Sequence, residues 1–202
     1  MRVFGFFLAA SLILGCGDEG RPNSSGICPS AVTETSAARV FVIQPRIAPE
    51  HFISYAAYQN HLIELARTNI ASCLAKDRPN LVVLPENTGL SAAFIGSRGQ
   101  AARESSSTFA AFLALGGQYA GPVQFYKNQW PNLLLPNHIE LGITDTVWRA
   151  FYETNQLLAQ ELGAWVVAST NISGLVEKST DATEIATLSD PDLQDPSYVY
   201  VA

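Results

Sequence analysis

Apolar and polar positions alternate along this chain in blocks of two periods. Val40, Phe41, Val42 and Ile43 run together and stop at Pro45, which predicts a strand over 39–45, central because consecutive apolar residues imply burial on both faces. Over 51–74 the spacing changes: Tyr55, Tyr58, Leu62, Leu65, Ile70 and Leu74 form much of one helical stripe, and Lys76-Asp77-Arg78-Pro79 ends it. Residues 81–84 form a second strand. Strand, helix and strand make a βαβ unit, which implies a parallel pair joined by a right-handed crossover.

Farther along the pattern loosens and then returns. A helix is predicted over 101–119, stopped by Gly116-Gly117 or Gly121-Pro122. Over 123–140 aromatic residues and leucines are interleaved with Pro and Asn, and no regular element is predicted. Val147, Phe151, Leu158 and Leu162 line one face of a helix over 145–162, with Thr144 or Asp145 as its N-cap and Gly163 as its stop. A third strand follows over 165–169. Residues 177–196, polar and rich in Asp, read as a surface loop, and 198–201 begin a fourth strand. The alternation of strands and helices sets the class as α/β.

Composition narrows the partners. The chain has 202 residues, 48% of them apolar and 15% charged, which suits one folded domain with a sizeable core. A net charge of −6 and a pI near 5.0 exclude the basic patch that a nucleic-acid partner demands. His51, His61 and His138 have no metal-ligand spacing and read as surface or capping histidines; no motif calls for a cofactor.

The N-terminus differs from the rest. Arg2 precedes an apolar run over 3–14, closed by Gly15-Cys16. This run of twelve residues, apolar but for Gly5 and Ser11, falls short of the roughly 20 that span a bilayer and suits a signal-peptide core. The ending resembles a bacterial lipoprotein signal, which implies that residues 1–16 end at a lipidated Cys16 and that the protein is exported and membrane-anchored through its N-terminal lipid. An ordinary secretory signal, or an uncleaved anchor with Cys16 incidental, is the plainer alternative. Residues 17–38 are a flexible linker of Gly, Pro, Asn, Ser and Thr. Asn23-Ser24-Ser25 and Asn171-Ile172-Ser173 match glycosylation sequons and, behind a bacterial-type signal, read as chance.

The candidate chemistry sits at the second strand. Pro85 cannot donate to a ladder, so pairing stops there, and Glu86 is placed at the carboxyl end of a buried strand. Open α/β folds put their ligand crevices at such ends. A carboxylate there is expected to be partly desolvated and tunable as a general base. The plainer reading is a surface Glu opening the polar turn Asn87-Thr88-Gly89.

Residues 81–90, Leu-Val-Val-Leu-Pro-Glu-Asn-Thr-Gly-Leu, resemble the segment around the catalytic glutamate of the nitrilase superfamily, the carbon–nitrogen hydrolases. Residues 39–45, Arg-Val-Phe-Val-Ile-Gln-Pro, resemble that family's first strand, and the order of elements through the strand at 165 follows the family's order. The resemblance covers roughly 39–202 and is specific at the Pro-Glu strand. It implies the N-terminal part of a nitrilase-like α-β-β-α sandwich, with 92–140 an insertion that acts as a lid or specificity loop, or else only packs.

It also implies Cys-Glu-Lys chemistry on a small-molecule amide or nitrile. A Cys thiolate attacks carbon, Glu takes its proton and later activates water, and Lys stabilises the tetrahedral charge. Glu86 takes the base role, while the family's Lys and Cys positions are expected past Ala202. Cys73, in the last turn of a helix at the far end from Glu86, does not suit the nucleophile. An exported protein permits a Cys28–Cys73 disulfide. Lys178 reads as a solvated charge in a polar loop. The alternative function is a membrane-tethered, non-catalytic binding module or inactive fragment of the same fold. An acyltransferase on this fold needs several spanning helices, and no later apolar stretch is long enough. A homo-oligomer is compatible with the chain, and half a sandwich is expected to leave strand edges and core faces uncovered.

Overall fold

The computed structural model describes residues 37–86, 88–170, 175–194 and 196–202. The segment expected to be a signal peptide, Cys16, Cys28, nearly all of the expected linker, Asn87 and the Asn171 sequon lie outside them. Strand β1 (Arg39–Val42) leads through a 3-10 turn at Pro49–Phe52 to helix α1 (Tyr55–Ile70), and β2 (Asn80–Val83) follows. Ser54 starts α1, its hydroxyl accepting from Ala57 N at 3.1 Å. Tyr58, Leu62, Ala66 and Ile70 are the buried stripe at four-residue spacing. The predicted helix over 51–74 is therefore an α-helix of sixteen residues with 3-10 turns beyond each end.

Residues 92–140 correct two expectations: the single helix predicted over 101–119 is two helices, and 123–140, predicted to be irregular, is largely helical. They contain α2 (Gly96–Arg103), α3 (Thr108–Gln118), α4 (Ala120–Gln129) and most of α5 (Leu135–Gly142). The prolines that read as breakers stand where helices tolerate them. Pro122 and Pro136 lie in the first turns of α4 and α5, where a backbone N–H has no intrahelical partner to lose. These helices build a core of their own around Ala92, Ile95, Leu115, Tyr119, Val123 and Ile139, closed on one side by Phe52, Tyr58 and Leu62.

After Ile143 the chain forms α6 (Thr144–Val147), a π-helical turn at Trp148–Tyr152 and α7 (Glu153–Leu162). Neither Thr144 nor Asp145 is the cap, because both lie inside the helical run and are buried. Val147, Phe151, Leu158 and Leu162 are buried as the pattern predicts. Gly163 ends α7 with φ +57°, and Ala164 N donates to Ala159 O at 3.2 Å, a Schellman-type stop.

Strand β3 (Trp165–Val167) completes a parallel sheet in the order β1-β2-β3, with Leu81 opposite both Val40 and Trp165. α1 and α7 cover one face through Ala66, Ile70, Leu158 and Leu162 against Phe41, Val82 and Val166. The other face presents Val40, Val42, Leu81, Val83, Trp165 and Val167, and the four on the outer strands are exposed. The polar run at 177–196 is also corrected: it holds β4 (Glu177–Ser179) and α8 (Ala182–Leu188), capped by Asp181. β5 (Val199–Val201) pairs antiparallel with β4, not with the main sheet.

Candidate active site

Glu86 follows the middle strand of the parallel sheet by three residues. The ladder runs slightly past the strand ends, Ile43 N donating to Val83 O at 3.0 Å and Leu84 N to Val167 O at 2.9 Å. Pro85 then ends donation, as its missing N–H requires. Its carbonyl organises the turn, accepting from Thr88 N at 3.3 Å and from the Thr88 hydroxyl at 2.6 Å. Ser91 Oγ donates to Thr88 O at 2.7 Å. Gly89 N donates to Ser169 O at 3.3 Å, tying this turn to the end of β3.

Gly89 has an ordinary negative φ, so its requirement is space. A Cβ there would lie 2.4 Å from Thr170 Cγ2 and 2.9 Å from the Phe151 ring. Thr88 and Gly89 are buried, whereas Glu86 is exposed. The carboxylate therefore stands at the predicted strand end but without the predicted partial desolvation.

Two recesses flank the strand ends. One, of about 400 Å³, is lined by Trp148, Phe151, Tyr152, Asn155, Trp165 and Thr170. Trp148 Nε1 and Asn155 Oδ1 are buried there and lack a hydrogen-bond partner. Phe151 and Thr170 also border Gly89, so this recess adjoins the Glu86 turn. The other, of about 450 Å³, lies between Ile47, Pro49 and Phe52 and the inserted helices at Phe94, Arg103 and Thr108. Arg103 Nη1 fixes its wall by donating to Phe52 O, Phe94 O and Gly96 O.

The other sequence candidates fall elsewhere. Cys73 ends the 3-10 turn after α1, and its carbonyl accepts from Arg39 Nη1 at 2.5 Å. Arg39 begins β1, so Cys73 sits at the strand starts, opposite Glu86. It is disulfide-bonded and offers no free thiol; Cys16 and Cys28 lie outside the described residues. Lys178 is on β4 rather than in a loop, with Nζ 4.0 Å from the Tyr198 ring centroid.

Arg149 stands 4.4 Å from the centroid of the same ring. Its Nη2 donates to Asp145 Oδ1 at 2.9 Å and to Tyr198 O at 2.8 Å, while Tyr200 N donates to Asp145 Oδ1 at 2.9 Å. Burial raises the Asp145 carboxyl above its ordinary range, against the pull of Arg149 and the Tyr200 amide. This buried network ties β5 to α6; the sequence pattern offered Asp145 only as a candidate N-cap.

His138 is buried, and its Nε2–H donates to Trp130 O at 3.0 Å. His51 and His61 stack at 3.5 Å, with Ala48 N donating to His51 Nδ1 and His61 Nε2–H donating to Arg46 O. Among the described residues no group of His, Cys, Asp and Glu could hold a metal ion. None of their helices is long and apolar enough to cross a membrane. Comparison with protein-family models, with curated proteins and with solved structures gives no match for this chain.

Proposed function

We propose that this chain is part of a carbon–nitrogen hydrolase of nitrilase-like α-β-β-α architecture, tethered to a membrane by lipid on Cys16, with Glu86 as the general base. The observation that carries the reading is the position of Glu86 at the carboxyl end of the central parallel strand, on a turn pinned to the neighbouring strand. Support at the fold level comes from a sheet with helices on one face and an apolar, uncovered second face, the arrangement of one half of such a sandwich. The recess beside the turn, lined by Trp148, Phe151 and Asn155, gives room for a small substrate.

The chemistry needs a thiolate and an ammonium as well, and Cys73 and Lys178 do not serve. Cys73 is at the wrong end of the sheet and oxidised; Lys178 is engaged with Tyr198 on the second sheet. A general base also works best when partly desolvated, so closure over Glu86 has to accompany those two groups. The exposure of Glu86 favours a second reading, a binding module that keeps the crevice without turnover.

The deciding experiment assays the protein for ammonia release from short aliphatic amides and nitriles. Release that depends on a thiol, lost after alkylation, is the expected result. Saturable binding of amides without any release establishes the binding module instead.

A further inference from the structure

Between Glu104 and Glu140 there is no acidic residue, and Lys127 is the one Lys or Arg, in a chain whose net charge is −6. The structure folds the end of this stretch into an exposed tip, where Trp130 and Leu133 also line a shallow recess with Leu141, Leu175 and Ala202. α4 and α5 pack on each other, and every residue from 127 to 137 is exposed. At its apex Trp130, Leu133, Leu134 and Leu135 are 40%, 42%, 72% and 56% exposed.

The tip is built rather than slack. Trp130 N donates to Tyr126 O at 2.8 Å, Leu133 N to Trp130 O at 3.1 Å and His138 N to Leu134 O at 3.2 Å. The buried His138 ring donates to Trp130 O, and the Trp130 indole stacks on the buried Tyr126 ring at 5.5 Å with planes 6° apart. The base is fixed in the core while the leucines are held in water. A preformed cluster of large apolar side chains marks a contact surface.

Its chemistry favours a lipid surface. Indole rings settle at the headgroup level, leucines partition into the acyl region, and Asn128, Gln129, Asn132 and Lys127 can face headgroups. An anionic bilayer repels carboxylates, and this tip carries none. Two copies meeting tip to tip would bring Lys127 to Lys127 with no opposite charge between them.

We propose that the 130–135 turn docks the protein on a bilayer containing anionic phospholipid, with the leucines below the headgroups. The docking is independent of the hydrolase reading and of lipid on Cys16, and it sets which side of the fold faces the membrane.

The test uses the full chain carrying Cys16→Ser, so that no lipid forms there. It is mixed with phosphatidylglycerol–phosphatidylcholine vesicles whose acyl chains are brominated, and tryptophan quenching is read. Quenching is expected in this parent and lost in Trp130→Phe, which keeps Trp148 and Trp165. Leu134→Asn with Leu135→Asn is expected to weaken the Trp130 quenching by roughly tenfold or more in apparent affinity, with an unchanged circular dichroism spectrum. Absence of quenching, quenching that persists in Trp130→Phe, or a leucine-dependent self-association without quenching overturns the proposal. Amide hydrolysis is measured separately, so failure of one reading leaves the other standing.

Discussion

At Gly89 a single hydrogen atom in place of a methyl group holds the Glu86 turn against β3. A Cβ there meets Thr170 and Phe151 inside contact distance, so Gly89→Ala is expected to destabilise the fold by about 1–3 kcal/mol, as overpacking does. Urea denaturation checks this; an unchanged midpoint means the turn can shift freely. Pro85 made the end of the strand legible, and with it the place of Glu86. The need for glycine at position 89 was not legible, because it arises from Phe151 and Thr170, far away in the chain. The histidine pair makes a second prediction. Burial and the neighbouring His51 lower the His61 pKa below its ordinary 6.5. The unfolded chain then binds the proton more readily, so stability is full above about pH 6.5 and falls as pH drops below it. Denaturation midpoints at neutral and mildly acidic pH should differ in the parent and less so in His61→Gln. An equal loss in both would assign the effect to other groups.

At the scale of elements, hydrophobic spacing predicted α1, the 144–162 helical run and the three parallel strands, but β1, read as central and buried on both faces, is an edge strand with Val40 and Val42 exposed. Spacing failed at 123–140 and 177–196. Pro122 and Pro136 occupy first turns of helices, and the short β4 and α8 hold no long apolar stripe of their own. Their placement depends on tertiary contacts, chief among them the Asp145–Arg149 pair that receives β5. Removing one partner of a buried pair leaves the other charge unpaired. Asp145→Ala is therefore expected to cost about 3–5 kcal/mol in urea denaturation and to loosen amide protection at β5. A loss below 1 kcal/mol would show that this pair behaves like a solvated one.

For the molecule as a whole, the uncovered sheet face decides its behaviour in isolation. Val40, Val42, Trp165 and Val167 are exposed together beside two open strand edges, the geometry that invites association. Sedimentation velocity of the full chain should show concentration-dependent association that Val42→Lys reduces; a monomer at all concentrations would mean that this face needs no cover. The α/β class was legible from the alternation of elements. Closure of the site was not, since Glu86 is exposed and neither Cys73 nor Lys178 can serve beside it. The most direct test of Glu86 as the general base compares Glu86→Gln with the parent protein, by the rate of ammonia release from a substrate amide. A fall of roughly 10²–10⁴-fold with the fold intact is the predicted result; an unchanged rate in Glu86→Gln would contradict the assignment.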